Sequence, residues 1–108
     1  MAEKFTNKPA IFNGVDFDYW KKMMESYITS QDYDIWLKVA NVYVIPDRIE
    51  IATQNTDFEN NFKAWNIILN GISRFDFDRV SHLATINEIW KALNDFHTWS
   101  LNIKELRK

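Results

Sequence analysis

The sequence predicts an all-α protein, an orthogonal bundle of about five to six helices. Apolar residues recur at intervals of three and four along several stretches, as on one face of an α-helix. Glycine and proline are rare, with two of each in 108 residues, so few positions interrupt the helices. The predicted helices differ in length and most connections between them are short, which favours large crossing angles.

The first two helices have recognisable beginnings. Asp16 is predicted to cap a helix that runs to about Gln31, and Asp32 or Asp34 is predicted to cap a shorter second helix. Their apolar faces consist of Phe17, Trp20, Met24, Tyr27 and Ile28 in the first helix, and Ile35, Trp36 and Val39 in the second.

Asp57 is predicted to cap a long third helix, which ends near Gly71. An apolar stripe along this helix predicts its core-facing side, and its members are Phe58, Phe62, Trp65, Leu69 and Ile72. A short fourth helix is predicted over residues 74–81, where it presents Phe77 and Val80 to the core.

The clearest helix begins at Thr85. Thr85 and Glu88 have the spacing of a capping box, in which each side chain accepts a hydrogen bond from the backbone amide of the other residue. The apolar face of this helix consists of Ile86, Ile89, Trp90, Leu93 and Phe96. After His97, Ser100 is predicted to cap a separate last helical piece, with Trp99 in the junction.

Between the second and third helices the helical periodicity is lost, and residues 41–57 are predicted to form a long loop that lies on the helices. The apolar residues of this loop alternate like short extended segments, and they include Val42, Val44, Ile49 and Ile51. Residues 1–13 are predicted to form an N-terminal arm, and residues 14–108 a single helical domain.

Composition argues against several classes of function. The chain has 15 acidic and 13 basic residues, so it lacks the basic surplus of a nucleic-acid-binding domain, and RNA binding is not expected. It has no cysteine, which excludes disulfides and cysteine-type zinc sites. No apolar run approaches the roughly 20 residues of a membrane span, and no secretory signal is evident. We therefore expect a soluble, intracellular, cytoplasmic protein without a membrane association.

The sequence also lacks the motifs of an enzyme. It contains no glycine-rich phosphate loop, no nucleophile elbow and no His-Glu-x-x-His pair. His82 and His97 lie at ends of predicted helices, where a solvated or capping role is favoured over a metal or acid–base role. Asp76 and Asp78 are expected to complement a helix dipole rather than to form a catalytic pair. We expect no catalytic residue, cofactor, metal or small-molecule substrate.

Most of the large apolar residues are predicted to form the core, and its signature residues are Trp20, Trp36, Trp65, Phe77, Val80, Ile89, Trp90 and Leu93. Two groups remain as a candidate interaction surface. One is the loop segment Val42, Tyr43, Val44 and Ile45. The other is the corner formed by Trp99 and Leu101.

Several blocks of the sequence resemble plant copia-type retrotransposon Gag polyproteins. Residues 12–20 are similar to the Phe-x-Gly-x-Asn-Tyr-x-x-Trp pattern that begins the capsid region of that family. Further similar blocks follow in the same order, and they cover residues 30–36, 64–70, 77–81 and 85–93. The zinc knuckle, protease, integrase and reverse transcriptase of the full polyproteins have no counterpart in this sequence.

The resemblance implies the N-terminal lobe of a capsid protein, an orthogonal bundle of about five helices related to retroviral capsid N-terminal domains. The implied function is a non-enzymatic module for protein–protein interaction and self-assembly. The alternative is a domesticated host adaptor or dominant-negative module, which would bind a specific partner such as full-length Gag or a host protein.

Overall fold

A computed structural model describes the backbone of residues 11–106 and the side chains of residues 11–98. Within this range the chain forms five α-helices and no strand. The helices are α1 (Phe17–Gln31), α2 (Tyr33–Ala40), α3 (Ala52–Leu69), α4 (Arg74–Val80) and α5 (Ile86–Leu106). The predicted all-α bundle is therefore confirmed. None of the helices in this range is long and apolar enough to cross a membrane.

The core lies where α2 packs against α1 and α3, and where α5 crosses α2, α3 and α4. The buried apolar side chains are Phe12, Trp20, Met24, Ile28, Ile35, Val39, Ala64, Ile68, Leu69, Ile72, Val80, Ile86, Ile89 and Leu93. Of the predicted signature residues, Trp20, Val80, Ile89 and Leu93 are buried. The other four, Trp36, Trp65, Phe77 and Trp90, are partly buried and packed against this core.

Two of the predicted helix caps are present. At the start of α5, the backbone N–H of Glu88 donates to Thr85 Oγ1 (3.3 Å), and the N–H of Thr85 donates to Glu88 Oε1 (3.2 Å). This is the predicted capping box. Asp32 caps α2, because its carboxylate accepts a hydrogen bond from the N–H of Asp34 (2.9 Å).

The first helix begins after Asp16, as predicted, but without a side-chain cap. Asp16 has a left-handed backbone conformation (φ 61°), and it follows Gly14, whose φ is also positive (93°). A side-chain cap requires an extended backbone at the N-cap residue, so the Asp16 carboxylate is not placed over the first turn of α1. Asparagine and aspartate tolerate this left-handed conformation better than most residues.

The third helix begins at Ala52 rather than at Asp57, so the prediction of its start is wrong. Gln54 explains the earlier start. Its Oε1 atom accepts hydrogen bonds from the N–H groups of Glu50 (2.7 Å) and Ile51 (3.2 Å), which satisfies two amide groups ahead of the helix. The loop between α2 and α3 consequently spans residues 41–51 instead of 41–57.

The prediction of a separate last helical piece after Ser100 is also wrong, because α5 continues without a break to Leu106. Its sequence contains no glycine or proline, so nothing in it terminates the helix. Trp99 and Leu101 therefore lie within α5 rather than in a junction. Their side chains lie outside the described residues.

Two buried asparagines attach the beginning of α5 to its neighbours. The Asn61 side chain on α3 accepts a hydrogen bond from the N–H of Ile86 (2.9 Å) and donates one to the C=O of Ala84 (3.4 Å). Asn87 donates to the C=O of Val39 at the end of α2 (2.7 Å). These bonds fix the position of α5 relative to both helices.

Candidate interaction surface

The third helix has an apolar face on each of two sides. One side, which includes Ala64 and Ile68, is buried in the core together with Asn61. The adjacent side carries Phe58, Phe62 and Trp65, and Phe62 is 51% exposed. Phe58 is half-buried, and Trp65 is half-buried and packed against the core. The predicted core-facing stripe is fully buried only at its end, at Leu69 and Ile72, which are 7% and 8% exposed. Over the rest of α3 the neighbouring side of the helix is turned inward.

The three rings on this side of α3 form a line of edge-to-face contacts, which we call the aromatic ladder (Phe58, Phe62 and Trp65). The ring centroids of Phe58 and Phe62 lie 5.1 Å apart at an interplanar angle of 82°. Those of Phe62 and Trp65 lie 6.1 Å apart at 68°. Such pairs stabilise one another beyond simple burial, so the ladder is a preorganised surface feature.

The predicted loop segment is partly at the surface. Val42 and Val44 are 73% and 78% exposed, whereas the intervening Tyr43 and the following Ile45 are half-buried. This alternation is typical of an extended strand with one face on the protein. The backbone N–H and C=O groups of residues 42–49 have no hydrogen-bonding partner in the part of the chain that the structure describes. The segment thus has the properties of an unpaired sheet edge.

Tyr43 holds this loop against α2 and α3. Lys38 Nζ lies 5.4 Å from the centroid of the Tyr43 ring, and the same ammonium group forms an ion pair with Asp57 (3.2 Å). The Tyr43 hydroxyl is buried without a hydrogen-bonding partner. Its burial, together with the negative charge of Asp57, raises the pKa of Tyr43 above its ordinary value.

The loop leads directly into the helix that carries the aromatic ladder. Ile51, the last residue of the loop, is exposed and immediately precedes α3. Within α3, Phe58 and Trp65 are seven residues apart and therefore lie on the same side of the helix. We call the combined feature the loop–α3 surface, and its members are Val42, Val44, Ile51, Phe58, Phe62 and Trp65.

A second apolar region lies at the beginning of α1. Ile11, Val15 and Tyr19 are exposed around a groove of about 250 Å³, and the buried residues Phe12 and Trp20 also line it. Phe75 on α4 is a further exposed ring (69%), and it lies 5.0 Å from the Arg79 guanidinium. Sequence patterns did not identify these positions as surface residues.

The predicted roles of the titratable residues need one correction. His97 is neither solvated nor at a helix end: it lies inside α5, and its Nε2 atom is 3.1 Å from Oδ2 of the buried Asp76. The rings of Phe12 and Phe17 cover it, with centroids 4.7 Å away in each case. Asp78 instead pairs with Arg74 (2.8 Å). No group of three or more potential metal ligands occurs among the described residues.

Comparison with known proteins adds no assignment. No protein-family model, curated protein or solved structure matches the chain. The loop–α3 surface is therefore the feature from which a function can be inferred.

Proposed function

We propose that the chain is the N-terminal lobe of a copia-type Gag capsid and acts in the cytoplasm as a non-enzymatic self-association module. The observation that carries the proposal is the aromatic ladder with its exposed ring Phe62, on the helix that follows the exposed valines of the loop. Exposed apolar groups that occur together mark sites of protein–protein contact. Aromatic residues are also the side chains that contribute most to such contacts.

The five-helix fold is a weaker support. It agrees with the bundle of about five helices that the resemblance implies, but many unrelated proteins share an all-α architecture. The self-association of the chain is therefore inferred from its surface, and its origin in a Gag polyprotein from the ordered sequence blocks.

The proposal is tested by measuring molar mass against concentration, using light scattering on a sizing column from micromolar to millimolar protein. We expect the mass to rise above the 12.9 kDa of the monomer as concentration increases. A mass that stays at the monomer value over the whole range would contradict self-association.

A second candidate function is binding of a different protein, either a full-length Gag or a host protein. The unpaired backbone of residues 42–49 favours it, because such an edge can accept an extended segment as an added strand.

The test is copurification with a co-expressed copia-type Gag polyprotein. The paired substitutions Val42→Ser and Val44→Ser should abolish copurification, whereas Thr29→Ala, on the exposed side of α1, should not. Strand addition at this segment would be contradicted if the valine double variant and the Thr29→Ala variant both copurify with Gag, or if both fail to do so.

A further inference from the structure

We infer that two copies of the chain associate through α3 in an antiparallel arrangement, about a two-fold axis that passes beside residues 61 and 62. In this pair the aromatic ladder of one copy packs against the ladder of the other. The inference rests on the proposed self-association and specifies its partner, a second copy, and its contact surface.

The spacing along the outer side of α3 is the first observation. Within α3, Asn55, Phe58, Phe62 and Trp65 follow one another at intervals of three, four and three residues, and Ile51 lies four residues ahead of Asn55, just before the helix. This is the spacing of a coiled-coil seam, by which two helices bury a stripe against each other. The continuation of the stripe, Leu69 and Ile72, is buried within the same copy. The aromatic part of the remaining seam, from Phe58 to Trp65, is centred between residues 61 and 62.

The charges beside the ladder select the antiparallel direction. Glu59 and Lys63 are exposed and flank Phe62 on the same side of the helix. In an antiparallel pair centred here, Glu59 of each copy lies opposite Lys63 of the other, which gives two ion pairs. A parallel pair would instead place like charges opposite each other. The surface is thus complementary to itself, as a two-fold interface requires.

The rings follow the same symmetry. Phe58 and Trp65 lie on the other side of Phe62, and the axis places Phe58 of one copy opposite Trp65 of the second. One edge of the interface then contains the two Glu59–Lys63 ion pairs, and the other edge contains the two Phe58–Trp65 contacts.

Both charges are available for a partner. The Glu59 carboxylate accepts one hydrogen bond, from Asn55 Nδ2 (3.2 Å), and takes part in no ion pair among the described residues. Lys63 likewise forms no ion pair within that range, although Glu59 lies one turn away on the same helix. An intermolecular ion pair therefore replaces no internal one.

The test uses charge reversal at these two positions, with the dimer dissociation constant measured by sedimentation equilibrium at low salt. We expect Glu59→Lys alone, or Lys63→Glu alone, to weaken the dimer by about tenfold, because each creates two like-charge contacts. The double reversal should restore the wild-type constant. An equimolar mixture of the two single variants should also associate like wild type, because both ion pairs form in the mixed dimer.

The outcomes separate this inference from the proposed function. The α3 pairing would be overturned, and self-association would remain, if wild-type protein associates but neither single reversal changes its dimer dissociation constant. The same conclusion would follow if neither the double reversal nor the mixture restores that constant. A wild-type protein that is monomeric throughout would overturn both. Thermal unfolding by circular dichroism serves as the control, since both residues are exposed and their reversal should leave the fold intact.

Discussion

At the scale of single residues, Asn61 shows how a buried polar group determines packing. Its side chain is 1% exposed and accepts a hydrogen bond from the backbone N–H of Ile86, the first residue of α5, whose N–H has no partner within that helix. Asparagine on a helix would ordinarily be assigned to the solvent side. Its hydrogen-bonding partner, Ile86, lies 25 residues away in the sequence, so a local pattern could not predict that Asn61 is buried.

We expect Asn61→Ala to lower the free energy of unfolding by about 1–3 kcal/mol, because the Ile86 N–H is left buried without a partner. The matched substitution Asn66→Ala, on the exposed side of the same helix, should change it by less than about 0.5 kcal/mol. Urea unfolding of the two variants measures the difference. Equal effects would show that the Asn61 hydrogen bonds contribute nothing specific.

Tyr43 provides a pH-dependent prediction. Burial and Asp57 raise its pKa in the folded state above the ordinary value of 10.0, so the unfolded chain loses the phenolic proton first as pH rises. The contribution of Tyr43 to stability is therefore complete below pH 10 and decreases above it. Tyr43→Phe should lack this decrease.

At pH 7 the same substitution should leave stability unchanged or raise it by up to about 1 kcal/mol, because it removes a buried hydroxyl that has no hydrogen-bonding partner. Urea unfolding of both proteins at pH 7 and above pH 10 provides the comparison. A Phe variant that is clearly less stable at pH 7 would indicate that the hydroxyl is bonded in solution.

At the scale of helices, sequence patterns predicted the packing of α5 more completely than that of α3. The apolar face of α5 and its capping box were predictable because both are local patterns. The stripe on α3 was identified correctly, but Phe62 at its centre is exposed rather than buried. Amphipathic spacing reveals that a stripe exists and does not reveal whether its own chain or another molecule covers it.

This difference changes the expected roles of two tryptophans that sequence patterns treated alike. Trp90 packs between Trp20 and Trp36, with centroid distances of 5.8 Å and 5.6 Å, so Trp90→Ala should cost about 3–5 kcal/mol. Trp65 is also partly buried against the core, but its ring contact is with the exposed Phe62, so Trp65→Ala should cost less, about 1–3 kcal/mol. Chemical unfolding at low protein concentration tests the order. Equal costs would show that Trp65 is packed as tightly as Trp90.

At the scale of the whole molecule, the all-α class and a bundle of about five helices followed from local periodicity and from the scarcity of glycine and proline, although the separate helix predicted after Ser100 does not exist. The remaining features depend on contacts between distant residues. The Asp76–His97 pair and the Asn87–Val39 bond join helices that no local pattern relates to one another. The same limitation applies to the loop–α3 surface, because exposure is a property of the assembled bundle.

The core is formed by α1, α2, α4, α5 and the inner side of α3, and it leaves Phe62 exposed with Phe58 and Trp65 half-buried beside it. The proposed self-association rests on this small surface, of which Phe62 is the exposed ring on α3. We therefore expect the isolated chain to associate with modest affinity.

The most direct measurement compares two exposed phenylalanines by sedimentation equilibrium. Phe62→Ser removes the centre of the aromatic ladder, and Phe75→Ser removes a ring of similar exposure on α4. Both variants should stay folded, because neither ring is buried. We predict that Phe62→Ser raises the dimer dissociation constant by about tenfold or more, while Phe75→Ser leaves it at the wild-type value. Equal dissociation constants for Phe62→Ser and wild type would contradict self-association through α3.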